Sequence, residues 1–334
     1  MNLSRGGRAR LLVSYGGAAL LLWLFLRSAD WRVLANGLQS VGWALLGAAV
    51  IVRLASLVVS SLRWQALLAP TRHVPLGPIV SATLMGMTVS TVVSMQAAEV
   101  ARPYLLSRQQ GLDFTATLAT LAVEWCLDLL GVLVLVTPAV LYARAVGAAQ
   151  VGMNPSLLTW EFALALLLSI AGLAALRVLP RHVDRLERWV LETRLLPPRL
   201  RAHVAAEMRV FVSGLGILQR PNGLAAVGGY SLLLSLMTAM SAWLTLLAFD
   251  LPLSLVSGFV VLGLITVGGM IPTPGAVGGF HAVCQLGLVT FFALDRARTV
   301  LPVIGLHAVL YAPAAAIGAL CFLWARYERQ GITA

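Results

Sequence analysis

Long apolar runs separated by short arginine-containing segments dominate the pattern of this chain. Six runs approach or exceed the roughly 20 residues that a helix needs to cross the hydrocarbon core of a bilayer. They cover Leu11–Leu26, Trp43–Leu62, Phe114–Tyr142, Trp160–Val178, Leu224–Phe249 and Val300–Trp324. The pattern predicts an all-α, polytopic integral membrane protein with six full transmembrane helices, of which the first is short.

Two further stretches differ from these runs in composition. Leu76–Ala98 is rich in Ser, Thr, Gly and Met, and Leu253–Leu294 is interrupted by Pro and Gly residues. Such residues free backbone groups at membrane depth, where they are tolerated only inside protein or along a cavity. We therefore predict two broken, re-entrant helical hairpins. The second is expected to turn at Pro272, Pro274, Gly275, Gly278 and Gly279.

The distribution of arginines indicates which side of the membrane each loop occupies. If the stretch 76–98 turns back, the arginine-rich segment from Arg177 to Arg220 lies in the cytoplasm, where basic residues are enriched. A single crossing would place this segment outside. We therefore expect a protein of the cytoplasmic membrane with both termini in the cytoplasm. For 253–294 the rule does not separate a hairpin from two full spans, and the Pro and Gly content favours the hairpin.

This topology gives two hairpins that enter from opposite sides of the membrane, as in transporters built from inverted repeats. We interpret 1–334 as one transmembrane domain with a first half at 1–178, a connector at 179–222 and a second half at 223–334. The halves share no obvious sequence similarity, so the repeat is a hypothesis. The connector has apolar residues at helical spacing, which fits either an amphipathic helix on the cytoplasmic surface or a solvated link.

Charge and composition narrow the function classes. The net charge of +11 could suggest a nucleic-acid partner, but only 11% of the residues are charged and 59% are hydrophobic. The basic residues lie between the apolar runs, where topology and anionic headgroups explain them. We therefore expect membrane lipids as partners, with anionic or phosphate-bearing headgroups, and no nucleic acid.

Three ionisable residues lie near the middle of apolar segments: Arg53, Glu124 and Asp128. A charge at the bilayer centre costs about 2.5–3.5 kcal/mol on insertion scales, so such residues face a partner or a substrate path. Glu124 and Asp128 share one helical face because they are four residues apart. Either one of them holds a proton, as in a relay, or Arg53 neutralises one. A structural ion pair and a substrate or proton path both fit.

Two more pairs are candidates for a substrate or ion path. Glu99 and Arg102 have helical i,i+3 spacing at the mouth of the first hairpin, where they could hold a lipid phosphate or form a local salt bridge. His281 follows the glycines of the second hairpin, and His307 lies inside the last span. The two imidazoles could meet and titrate near neutral pH, or each could be an ordinary core histidine.

Signatures of an enzyme are missing from the sequence. It has no metal-ligand spacing, no phosphate-cradling glycine loop and no plausible catalytic triad. The cysteines, Cys126, Cys284 and Cys321, match neither a metal site nor a disulfide framework. We expect no cofactor and no bound metal, and these absences disfavour the enzyme hypothesis.

Three segments together are similar to motifs of a known family, the transmembrane region of lysylphosphatidylglycerol synthases. This flippase-like domain also occurs in the multiple peptide resistance factor and in stand-alone proteins. Ala98–Leu106 resembles its Gly-Glu-x-x-Arg-x-x-x-Leu element, Glu124–Asp128 its Glu-Arg-x-x-Asp element, and Pro272–Phe280 its Pro-Gly-Gly-x-Gly turn. Trp125 stands where an arginine is usual.

The resemblance implies a flippase-like protein that moves a phospholipid, or a lipid-linked sugar or amino acid, between leaflets. No soluble segment here is large enough for the aminoacyl-transferring domain, so we expect a stand-alone protein without synthase activity. His281 and His307 stand where many members carry a glutamate and an arginine, which fits contact between these positions. The alternative is an accessory subunit of a glycosyltransferase or lipid-modifying enzyme, and a membrane-embedded transferase is the third hypothesis.

Overall fold

A computed structural model describes residues 5–27, 29–146, 160–193, 197–251 and 253–329. The described residues form helices and no strand, which confirms the predicted all-α class. The helices are α1 Arg5–Leu26, α2 Trp31–Gln39, α3 Trp43–Leu68, α4 Leu76–Val92, α5 Met95–Gln110, α6 Phe114–Val146, α7 Trp160–Glu192, α8 Pro198–Gly214, α9 Pro221–Ala248, α10 Leu255–Met270, α11 Gly279–Phe292 and α12 Arg296–Arg329. Residues 1–4 and 330–334, which hold the termini predicted to be cytoplasmic, lie outside the described residues.

Six helical segments are long and apolar enough to cross a membrane. Five of them lie in α3, α6, α7, α9 and α12 and agree with the predicted spans. The sixth is Pro274–Phe292, which contains the second arm of the second hairpin. The predicted first span, Leu11–Leu26, lies in α1, of which Tyr15–Leu26 counts as a shorter apolar helix. Six such segments are thus found among the described residues, and the predicted first span stays a prediction because only its part from Tyr15 onward was compared.

The first hairpin consists of α4 and α5, which pack against each other. The chain breaks just before α5, where the Ser94 hydroxyl caps the helix by accepting the N–H of Ala97 at 3.1 Å. The hairpin thus extends to the end of α5, and the predicted boundary at 76–98 was too short. The second arm is too polar to be recognised as a membrane helix from its hydropathy. Because α5 extends to Gln110, Glu99 and Arg102 lie within this arm and not after the hairpin.

The second hairpin consists of α10 and α11, joined by a turn over 271–278 that includes a 3₁₀ helix, Pro274–Ala276. Gly275 and Gly278 both have positive φ angles, 61° and 85°, which side-chain-bearing residues rarely adopt. A Cβ on Gly278 would lie 2.5 Å from the carbonyl oxygen of Ala18 in α1. Four of the predicted residues, Pro272, Pro274, Gly275 and Gly278, therefore lie in the turn, where both glycines are buried, and Gly279 begins α11.

The two hairpins enter from opposite ends of the molecule, because the helices that precede them, α3 and α9, are antiparallel. Ser241 near the end of α9 donates its hydroxyl to the carbonyl of Ala49 near the start of α3, at 2.9 Å. The hairpin tips then meet. Gln96 donates to the Met270 carbonyl at 3.2 Å, and the turn packs against α4 and α5.

Helix packing follows a two-fold pattern that relates α3–α6 to α9–α12. The helix α4 packs on α12 as α10 packs on α6, and α3 packs on α12 as α9 packs on α6. Within the halves, α5 packs on α6 as α11 packs on α12. Since α3 and α9 are antiparallel, this pattern supports the hypothesis of an inverted repeat despite the dissimilar sequences.

The connector is a pair of helices. The helix α7 continues without interruption from its membrane span to Glu192, so the expected amphipathic stretch is the end of α7. It pairs with α8, where Arg209 contacts both Asp184 and Glu187. Ridge-and-groove packing of two helices explains the apolar spacing that the sequence shows in this region.

The contact between α4 and α12 gives a test of the fold. Thr88 donates its hydroxyl to the Ala315 carbonyl at 2.9 Å, and a Cβ on Gly318 would overlap the Leu84 carbonyl oxygen. We expect Gly318→Val to lower the free energy of unfolding by about 1–3 kcal/mol, because the helices would have to separate. Gly229, in α9, has open space around it. Gly229→Val should change stability by less than about 0.5 kcal/mol, and equal losses in detergent unfolding would contradict this packing.

Candidate functional site

Charged side chains from α3, α5 and α6 meet beside the first hairpin. This arginine–carboxylate cluster consists of Arg63 from α3, Glu99 and Arg102 from α5, and Glu124 and Asp128 from α6. Each residue belongs to a helix that is fixed by packing, and not to a loop. The site is therefore positioned by the hairpin and its neighbouring spans.

Arg63 is the centre of the cluster. Its guanidinium forms an ion pair with Asp128, with Nη2 donating to Oδ2 at 3.1 Å, and Nη2 lies 3.5 Å from Glu124 Oε2. Nη1 also donates to the Ser231 hydroxyl of α9 at 2.9 Å. Arg63 is buried, and the two carboxylates beside it offset the cost of taking its charge out of water.

Arg102 connects the hairpin to the same carboxylate. Its Nη1 lies 3.5 Å from Glu124 Oε2 and 3.9 Å from Glu99 Oε2. The guanidinium stacks over the buried Trp64 ring at 4.7 Å, a cation–π contact that fixes its plane. Its aliphatic stem lies against Gly86 of α4, where a Cβ would overlap it. The glycine thus allows the arginine to lie flat within the hairpin.

Some buried polar atoms of the cluster form no hydrogen bond within the described part of the protein. Among the described residues, four buried atoms of the cluster have no hydrogen-bond partner: Arg63 Nε, Arg102 Nε, Arg102 Nη2 and Glu124 Oε1. Buried polar atoms are nearly always paired, so such atoms indicate a missing partner. Glu124 is 2% exposed and Asp128 is 47% exposed, so the cluster is open on one side.

The charges of the cluster do not balance. Three carboxylates face two guanidiniums, so the fully ionised cluster carries one excess negative charge. The guanidinium donors can bind phosphate oxygens, and the open carboxylate can hold a cation or a proton. The arrangement can therefore receive a polar group that brings both kinds of partner.

One of the two alternatives made Arg53 the partner of Glu124 or Asp128, and the structure places Arg53 elsewhere. Its Nε donates to the Leu310 carbonyl at 3.0 Å and its Nη1 donates to the Ser56 hydroxyl at 3.3 Å. It precedes Arg63 by ten residues, which is about 15 Å along the helix. The two arginines of α3 therefore serve two different sites.

Arg63 itself was missed by the sequence analysis. The apolar run ends at Leu62, so Arg63 was assigned to the cytoplasmic end of the span, although α3 continues to Leu68. The signal that could have found it is the pair of carboxylates in α6, which needs a cation at similar depth. Arg63 is the other arginine of α3.

The second polar site lies at the turn of the second hairpin. The rings of His281 and His307, the histidine pair, have centroids 4.7 Å apart, and His307 also contacts Tyr311 at 4.8 Å. His307 Nε2 bonds the Gly275 carbonyl at 2.8 Å, and the Gly278 N–H donates to His281 Nδ1 at 3.4 Å. The structure thus brings together the two predicted imidazoles and the predicted turn glycines.

The two sites occupy related places in the two halves. Glu124 and Asp128 lie four residues apart in the first half of α6, and His307 and Tyr311 have the same spacing and place in α12. Each site also receives one arginine from α3. The repeat therefore presents one site rich in carboxylates and another rich in aromatic and imidazole groups.

Two other features bear on ligands. No group of three or more metal-binding side chains lies among the described residues. A cavity of about 590 Å³ opens at the mouth of the first hairpin, between α4, α5 and α12. Its lining includes the polar Ser81, Gln109 and Gln110 and the apolar Ile317 and Leu320. This mixed lining suits an amphiphile.

The buried ion pairs give a stability prediction. Replacing Arg63 with Met leaves Glu124 with a single partner and Asp128 with none, so we expect a loss of about 3–5 kcal/mol in the free energy of unfolding. The double variant Arg63→Met with Glu124→Gln should lose less, because it removes both buried charges. Unfolding in mixed micelles measures both. The control is Arg185→Met on the exposed face of α7, with an expected change below about 0.5 kcal/mol, and a double variant that loses as much stability as Arg63→Met alone would contradict the pairing.

The family comparison agrees with this architecture. The family model described as "Lysylphosphatidylglycerol synthase TM region" matches residues 9–318, which is most of the chain. No curated protein matches the chain. The family is one of membrane domains with a lipid-related role, and the apolar helices identify an integral membrane protein. Because the match covers most of the chain, this chain belongs to the family of lysylphosphatidylglycerol synthase transmembrane regions.

Proposed function

We propose that this protein moves a phosphate-bearing lipid, either a phospholipid or a lipid-linked sugar or amino acid, between the leaflets of the cytoplasmic membrane. The observation that carries the proposal is the arginine–carboxylate cluster, with unpartnered buried donors and one open carboxylate. A structural ion pair alone would be expected to satisfy its own atoms. The lipid-related role of the family supports the same direction.

In this proposal the lipid headgroup enters from the side that Asp128 leaves open. Phosphate oxygens accept hydrogen bonds from the free donors of Arg102, and Glu124 and Asp128 hold a cation or a proton. The headgroup thereby exchanges its water shell for fixed charges, which offsets the cost of taking it into the membrane. The acyl chains stay in the surrounding lipid.

The remaining features fit successive steps of the path. The cavity at the mouth of the first hairpin is lined by amide and hydroxyl groups on one side and apolar groups on the other, as lipid entry from the cytoplasmic leaflet requires. Arg53, about 15 Å further along α3, offers the next guanidinium. The meeting hairpin tips lie on this route, so their separation would open it.

A second candidate function is a non-catalytic accessory subunit of a glycosyltransferase or lipid-modifying enzyme. The helix pair α7–α8 presents an exposed row of Arg181, Arg185 and Arg188 beside Trp189, which is 63% exposed. Aromatic and arginine side chains are enriched at protein interfaces. Co-purification of an enzyme, together with no lipid movement by the pure protein, would favour this function. A modified lipid made by the pure protein would favour a membrane-embedded transferase.

The test is movement of fluorescent lipids in liposomes that hold the pure protein, across anionic phospholipids and polyprenyl phosphates. We expect Asp128→Asn to abolish headgroup-dependent movement, with a fall of at least about tenfold, while folding is retained because Asp128 is half exposed. The matched control is Asp184→Asn, in which an exposed carboxylate paired with Arg209 is lost from the connector. Equal movement in both variants and the wild type would refute the role of the cluster.

A further inference from the structure

The histidine pair binds the turn of the second hairpin through atoms whose protonation is fixed by their partners. The Gly278 N–H can only donate, so His281 Nδ1 must be unprotonated and must accept. The Gly275 carbonyl can only accept, so His307 Nε2 must carry a hydrogen. A neutral pair satisfies both bonds at once.

The two histidines therefore respond differently to a proton. Protonation of His281 would place a second donor against the Gly278 N–H and break the bond to the turn. His307 can take a proton on Nδ1 and keep its bond to Gly275, because Nε2 already donates. The geometry makes His307 the proton acceptor and His281 the neutral anchor of the turn.

The groups around the histidine pair disfavour protonation of His307 unless an anion is bound beside it. Tyr311 of α12 contacts His307, and the titratable groups next to Tyr311 are Arg53 of α3, which bonds the adjacent Leu310 carbonyl, and Cys284 of α11. The nearby side chain of α1 is Phe25, the described part of α10 has no ionisable side chain, and Glu99 of α5 is engaged in the other cluster. Among the described residues, neither histidine has an acidic partner within salt-bridge distance.

Arg53 has no carboxylate within salt-bridge distance in the part of the chain that the structure describes. Its described hydrogen bonds go to a backbone carbonyl and a serine hydroxyl, both of which are neutral. Arg53 together with a protonated His307 would carry two positive charges at membrane depth. A phosphate diester, with one negative charge, would balance only Arg53. A phosphate monoester or a diphosphate carries close to two negative charges near neutral pH and would balance both.

We infer that Arg53 and His307 form a proton-linked binding site for a lipid phosphate monoester or diphosphate, distinct from the arginine–carboxylate cluster. This inference rests on the proposed lipid function and names its substrate class and coupling ion. The lipid phosphate and the proton bind together, and by linkage each increases the affinity for the other. Uptake of the proton thereby couples substrate binding to the hairpin turn that His307 contacts.

The experiment is calorimetric binding to the full chain in detergent at pH 7.5, in buffers of different ionisation enthalpy, which gives the protons taken up per lipid. The probes are short-chain phosphatidic acid, a monoester, and short-chain phosphatidylglycerol, a diester. We expect uptake of about 0.5–1 proton with the monoester and close to zero with the diester. In His307→Gln, whose amide can still donate to Gly275, uptake should vanish and monoester affinity should fall about tenfold.

The matched control is His203→Gln in the exposed part of α8, which should leave uptake and affinity unchanged. Uptake that persists in His307→Gln would mean that the phosphate itself takes the proton, and this would overturn the inference, as would binding of neither lipid. Binding with uptake that depends on His307 would support it even if no lipid moves in liposomes, a result that refutes only the proposed transport. Histidine ¹⁵N spectra provide a second readout, with His307 becoming doubly protonated when the monoester binds and His281 remaining neutral.

Discussion

The structure depends first on the pairing of one buried guanidinium, that of Arg63, with carboxylates inside the membrane. Arg63 bonds Asp128 and approaches Glu124, and Arg102 approaches Glu124 from the other side. Loss of both Glu124 and Asp128 would leave the buried Arg63 charge without compensation, which costs several kcal/mol. The cluster therefore fixes α3, α5 and α6 relative to one another. The first hairpin is held in the membrane by the same ion pairs that make the site.

The second requirement is close backbone approach, which small residues provide. Gly318 lets α12 contact α4, Gly86 gives space to the Arg102 stem, and Gly278 lets the second turn contact α1. Such contacts drive helix association in lipid, where apolar burial contributes little. They bring the hairpin tips together between two polar sites. The result is a membrane interior that is tightly packed yet has polar groups at two depths along α3.

Much of this architecture follows from the sequence, because hydropathy and Pro–Gly content report directly on backbone exposure to lipid. The apolar spans, both hairpins and the turn glycines were recognised on that basis. Arg63 was not recognised as a residue of the site, because its depth in the membrane depends on where α3 ends and not on the residues next to it in the sequence. The polar arm of the first hairpin also escaped recognition, because Glu99 and Arg102 reach partners on α6 that only tertiary structure brings near. Side-chain pairing between distant helices is the part that a single sequence does not encode locally.

The most direct measurement is photo-cross-linking with p-benzoylphenylalanine in place of Trp125, which borders Glu99 at the open side of the cluster. The control is the same substitution at Val58, an exposed position about 15 Å from the C-terminal end of α3, which is a depth similar to that of Trp125. Mass spectrometry then locates the adduct on the lipid. A headgroup taken into the membrane predicts adducts on the headgroup at position 125 and on acyl chains at position 58. Acyl-chain adducts at both positions would contradict a headgroup site inside the membrane.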